Sequence, residues 1–70
     1  MNRVTVVSRS IRSVGYDPGL RVLEIDFQDG SAYRYVGVPP SVPRRLAEGV
    51  SPLAYLHQHI RGHFPSMRVR

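Results

Sequence analysis

All ten basic side chains of this 70-residue chain are arginines, at positions 3, 9, 12, 21, 34, 44, 45, 61, 68 and 70. A guanidinium grips phosphate or carboxylate through paired N–H donors and stacks on bases and aromatic rings, which an ammonium does poorly. Tyr33 and Tyr35 flank Arg34 in "FQDGSAYRYVGVPP", so one short stretch offers two aromatic faces, two phenols and a cation. His57, His59 and His63 are the metal suspects, with His59 and His63 one helical turn apart. No third ligand is nearby in sequence and Gly62 interrupts the turn, so no metal site is expected. Ser8, Ser10 and Ser51 lack any activating motif, and Ser51 reads as a helix cap. Glu24 and Asp26 lie two apart on one strand face, where neighbouring arginines neutralise them rather than leave them free for acid–base work. The chain is expected to be a non-enzyme without a cofactor.

The formal charge is +5 and the sequence pI about 10.8, on a chain whose hydrophobic fraction of 41% is that of a folded domain rather than a basic tail. GC-rich coding explains the absence of lysine, but not the net charge. A pI this high is the electrostatic footprint of a nucleic-acid or phosphate binder. Without cysteine there are no disulfides and no thiolate zinc site, and a single domain this small buries little surface, so self-association is the expected help. No apolar run approaches a membrane span and "MNRVTVVSRS" lacks the apolar segment of a secretory signal, so a cytoplasmic protein is expected.

These side chains are positioned by a sheet and then by helices. "RVLEIDFQ" puts Leu23, Ile25 and Phe27 on one face and Glu24 and Asp26 on the other. "SAYRYV" follows to make a hairpin, and "YDPGL" turns back to a strand over Ile11 to Tyr16. Ser41 is placed to cap a helix reaching about Glu48, with Gly49 as its stop. Ser51 caps a second helix that begins at Pro52, carries Leu53, Leu56, Ile60 and Phe64 as its stripe, and ends at Pro65. The expected fold is α+β: a three-stranded antiparallel meander followed by two short helices packed on one face, in one domain spanning 1–70 with its core at about 6–64. "MNRVT" and "SMRVR" are expected to fray.

Loop length decides where the tyrosines point. A two-residue Asp29-Gly30 turn would set Asp26 against Tyr33 and Glu24 against Tyr35, and would put Arg34 on the core face, a buried cation without a partner. A three-residue loop, Gln28-Asp29-Gly30, sets Ile25 against Tyr33 and Leu23 against Tyr35 and sends Arg34 outward near Glu24 and Asp26. The three-residue loop is expected.

Together "SRSIRSVGYD", "LEIDFQDGSAYRYVGVP" and "SPLAYLHQHIR" resemble the KTSC domain, a module of about this length named after the C-terminal extension of some lysyl-tRNA synthetases. The resemblance runs from about Val6 to Phe64, and the family's Tyr-x-Tyr hallmark falls on Tyr33 and Tyr35. The flanking matches include Ser8, Ile11, Gly15-Tyr16-Asp17, Gly37-Val38-Pro39, Ser51, Tyr55 and Ile60-Arg61. Departures are Arg9 where a second serine is common, Pro43 where an aromatic is common, and Leu53 where glycine is usual; Pro43 is expected to shorten the first helix. The resemblance implies a module without catalysis whose partner is RNA.

Charge and resemblance together give the functional expectation: a small RNA- or nucleic-acid-binding module of low sequence specificity, or a binder of another phosphate-bearing ligand. Its site residues are Arg9, Arg12, Arg34, Arg44, Arg45 and Arg61 with the Tyr33–Tyr35 motif. Scattered solvated charge is the competing account, and for Arg61 a structural salt bridge to Asp17, Glu24 or Asp26. If the tyrosine hydroxyls and Arg61 meet at the seam of sheet and helix, they form a polar pocket for a phosphate, a base or a carboxylate. The alternatives are a nucleotide- or signal-binding homo-oligomer and a protein-interaction module.

Overall fold

The alternation in "RVLEIDFQ" becomes the central strand of a five-stranded antiparallel sheet in strict chain order. The computed structural model describes residues 2–4, 6–49 and 51–70. Its strands are β1 (Asn2–Val4), β2 (Ile11–Asp17), β3 (Val22–Phe27), β4 (Ala32–Val36) and β5 (Ser66–Arg68). The α+β class and the β2–β3–β4 meander stand as read from sequence, but the meander is an undercount. Asn2–Val4 pairs with β2 and Ser66–Arg68 pairs with β4, so both stretches expected to fray are edge strands. Met1 and Thr5 of the first stretch lie outside the described residues.

The β3–β4 register is that of the three-residue loop: Ile25 faces Tyr33, Glu24 faces Arg34 and Leu23 faces Tyr35. Phe27 N–H donates to the Ser31 carbonyl at 2.8 Å, and Gly30 N–H returns to the Phe27 carbonyl at 3.1 Å. Gly30 sits at φ 93°, a conformation glycine takes without steric cost. At the "YDPGL" turn the Asp17 carboxylate accepts from the N–H groups of Gly19 and Leu20, and the positive φ falls on Arg21 rather than on the glycine. A bulge between Ile11 and Ser13 lets Ile11 return to the core face while Ser13 looks outward at Asp26.

Two helical segments cover one face of the sheet. Helix α1 (Ser41–Glu48) begins from Pro40 with no side-chain cap, so Ser41 is its first residue and not the expected cap. Pro43 does not shorten it: a third-position proline falls in the first turn, where an N–H has no helical partner to lose. Helix α2 (Pro52–Tyr55) is capped as expected, Ser51 Oγ accepting from Ala54 N–H at 3.4 Å. It then widens into a π-helical turn, Leu56–Ile60, closed by Arg61 N–H on the Leu56 carbonyl at 2.8 Å. The helix therefore ends four residues before Phe64, which the sequence reading had placed on it.

The core lies between these layers: Ile11, Val14, Leu23, Ile25, Val38, Leu46, Leu56 and Ile60 are sealed from solvent. Burying each such aliphatic side chain contributes about 1.5–3 kcal/mol. Tyr16 belongs to the same core, and its hydroxyl donates to the Val38 carbonyl at 2.6 Å. No described helix is long and apolar enough to cross a membrane.

Candidate functional site

Where the π turn meets the sheet, a cavity of about 330 Å³ opens between Tyr33, Tyr35, Phe27, His57, Arg61 and Ser66. Its sheet wall follows from the hairpin register, which turns both tyrosines to the helix side. Tyr35 is 4% exposed, with its ring in the core, whereas Tyr33, nearer the hairpin tip, is half-buried and meets Phe27 edge to face at 5.9 Å. Its helix wall follows from the π turn, which sets His57 and Arg61 toward the same cavity. Arg61 has already left the helix, at φ −65° and ψ 123°, and Gly62 at φ 83° redirects the chain. Ile60, fully buried, anchors the end of the turn immediately before Arg61, whose side chain is exposed.

The charge balance of the cavity is set by which arginines are already engaged. Arg61 makes no salt bridge to Asp17, Glu24 or Asp26, the competing account of its charge: among the described residues no carboxylate lies within salt-bridge distance of it. Asp17 is occupied with its own turn, and Glu24 and Asp26 face the other side of the sheet. Burial pushes the Tyr35 phenol above its ordinary pKa; Arg61 pulls it back, and Tyr33 adds a smaller upward push. Tyr35 is thus a neutral donor at physiological pH, beside a cation with hydrogen-bonding capacity to spare. On the rim, Asp29 accepts from Ser31 Oγ at 2.6 Å and from Ser31 N–H at 2.9 Å, which holds its carboxyl below the usual carboxylate range.

The six arginines named as site residues do not lie on one surface. Arg34 points to the opposite face, where its Nε lies 3.0 Å from Glu24 Oε1. Arg9 lines a second hollow that adjoins the first, both being bounded by Phe27 and Asp29. Arg12 is exposed at the hairpin end, its Nη2 reaching the Gln28 carbonyl at 3.5 Å. Arg44 and Arg45 stand exposed on α1 and line neither hollow. His59 lies 4.6 Å from the Tyr55 ring, and the helix ends before His63. Among the described residues no three His, Asp or Glu side chains cluster as a metal site.

Sequence reasoning missed Ser66 and Arg68. Residue Ser66 faces Tyr35 across β4–β5 and lines the cavity, while Arg68 faces Tyr33 with its guanidinium carbon 6.0 Å from the ring centroid. The signal was present in "SMRVR", whose small and basic residues alternate with Met67 and Val69 at the period of a strand.

Comparison with known proteins places these features in a family. The family model described as the KTSC domain matches residues 7–64. An uncharacterized protein of Stutzerimonas stutzeri is 49% identical over 51 residues, covering 73% of this chain and 72% of that protein. A lysine–tRNA ligase of Nostoc is 35% identical over 54 residues, covering 77% of this chain but only 10% of the ligase. The crystal structure of a KTSC domain protein from Yersinia pestis superimposes with a TM-score of 0.88 at 36% identity, over 99% of this chain and 97% of that one.

Proposed function

The chain belongs to the KTSC domain family, and from that premise we propose that it is a small, non-catalytic RNA-binding module of low sequence specificity. The observation that carries the reading is Arg61: an exposed guanidinium without a carboxylate partner among the described residues, set in a cavity beside two tyrosines. Three arginines, Arg3, Arg34 and Arg70, are engaged by Glu24 and Asp26 on the far face. Of the seven arginines that Glu24 and Asp26 leave unpaired, Arg61 lines the cavity, Arg68 lies beside the Tyr33 ring, Arg9 lines the adjoining hollow and Arg12 stands at the hairpin end, whereas Arg21, Arg44 and Arg45 lie away from both hollows. A guanidinium offers a phosphate two donors, and aromatic walls offer any base a stacking partner, so neither feature selects a sequence. The Nostoc relative is named for a reaction on tRNA, which supports RNA over other phosphate-bearing ligands.

The test is a titration of the protein against a labelled single-stranded RNA of mixed sequence, at low and at moderate salt. Phosphate-led binding weakens as salt rises, with a logarithmic slope of about −0.7 for each phosphate neutralised on a single strand. Absence of binding at low salt would end the reading. A symmetric oligomer whose melting temperature rises with nucleotides and not with RNA would favour the homo-oligomeric nucleotide binder in its place.

A further inference from the structure

We infer that the two adjoining hollows form one track for a single strand of nucleic acid, with one nucleotide seated at Arg61 and the next phosphate held at Arg9. The inference rests on the RNA-binding reading and says how the strand lies. The hollows measure about 330 and 290 Å³ and are divided by the same two residues, Phe27 and Asp29. Arg61 borders only the first and Arg9 only the second, so the cations stand at the two ends with a ring and a carboxylate between them. The Asp29 carboxylate is held in its charged form by Ser31. It repels a phosphate from the middle of the track and accepts an N–H from a base there, which sorts backbone to the ends and base to the partition.

The walls also decide between one strand and two. Phe27 and Tyr33 stand edge to face, so a nucleobase stacks on one of these rings and only through its flat face, and a duplex keeps those faces stacked inside the helix. A volume near 330 Å³ lies at the lower end of small-ligand sites. It is of a size to seat one unstacked nucleotide. The track therefore favours a single strand over duplex RNA, which offers its phosphates but not its base faces.

The experiment uses the full chain and three probes, followed by amide chemical shifts: adenosine monophosphate, a single-stranded tetranucleotide, and a duplex of the same strand length. Arg9→Gln is expected to weaken the tetranucleotide several-fold and to reduce its salt slope by about 0.7, while leaving the mononucleotide unchanged. Arg61→Gln is expected to weaken both, and the duplex to bind at least about tenfold more weakly than the single strand. Both side chains are exposed, and an unchanged melting temperature confirms that each variant folds. Equal binding of duplex and single strand overturns the track, as does an Arg9→Gln variant that loses the mononucleotide or keeps full affinity for the tetranucleotide, or a mononucleotide that moves no cavity resonance. In those cases RNA binding itself survives, whereas failure of the single strand at low salt removes both readings.

Discussion

Arg70 Nη2 lies 2.6 Å from Asp26 Oδ1, so a residue just beyond edge strand β5 is tied across the outer face of the sheet to its central strand. From the opposite edge, Arg3 reaches both Asp26 and Glu24, and Ser13 Oγ adds a donor to Asp26 at 3.1 Å. Glu24 is only 6% exposed and Asp26 only 4%. Burying a carboxylate that deep is costly without ion partners, so the cations that answer these two also fix where the terminal strands lie.

Removing Arg3 should therefore destabilise the fold by roughly 1–2 kcal/mol, because it takes one partner from each of two buried carboxylates at once, and the loss stays modest because Glu24 keeps Arg34, Asp26 keeps Arg70 and Ser13, and the arginine itself is partly solvated. Arg70→Ala should cost less, since Asp26 keeps Arg3 and Ser13. Urea denaturation of the two single variants and the double variant measures both values. The double should lose more than the sum, because Asp26 then retains only a serine donor. Equal, additive losses would mean that the network does not hold the edges.

Most of this fold was legible because period and turn chemistry agree. The hairpin register followed from one cost, a buried Arg34, and the structure sets Arg34 against Glu24. The edge strands were not legible as strands in isolation, since three-residue segments acquire order only from a neighbour. The clue lay elsewhere: Glu24 and Asp26 at the centre of a sheet demand more cations than Arg34 alone, and Arg3 and Arg70 were two of the four arginines, with Arg21 and Arg68, that had no role. The cavity was half legible. The tyrosine register and Arg61 were readable, whereas Ser66 and Arg68 required β5, and a π turn has no pattern that separates it from an α-helix. In physical terms, the sequence shows periodicity and local caps, but not which of two compatible cations a buried charge will choose.

At Tyr35 the ring and the hydroxyl separate cleanly. Tyr35→Ala should cost about 3–5 kcal/mol, as truncation of a buried aromatic does. Tyr35→Phe should cost less than about 1 kcal/mol, because the phenol opens on the cavity rather than completing a buried pair. The folded phenol has a pKa above its ordinary 10.0. Its neutral form is thus favoured by folding, a contribution fully present below the ordinary value and lost as pH rises through the folded one. Thermal melts should show wild type losing stability relative to Tyr35→Phe as pH rises through that range, because only the tyrosine can ionise in its buried position.

Asp29 gives the opposite sign. Its pKa is lowered by the two hydrogen bonds from Ser31, so its contribution is present above about 3.9 and fades as pH falls through the folded value. Asp29→Asn should flatten that acid limb in melts of the hairpin. It should also weaken discrimination against phosphate at the middle of the track, seen as tighter binding of inorganic phosphate.

Gly62 links backbone conformation to the site. At φ 83° it occupies the left-handed region, and a side-chain carbon placed there would meet nothing within 4 Å. A substitution therefore pays only for the dihedral, about 1 kcal/mol for alanine and less for asparagine, which tolerates this region better. The residue follows Arg61, whose N–H closes the π turn on the Leu56 carbonyl. If Gly62→Ala relieves its strain by shifting φ, the segment that moves is the one carrying the guanidinium. Affinity for single-stranded RNA should then fall further than stability does, with Gly62→Asn between alanine and wild type in both. A Gly62→Ala variant that loses stability but binds RNA as tightly as wild type would show that the exit from the π turn does not position Arg61.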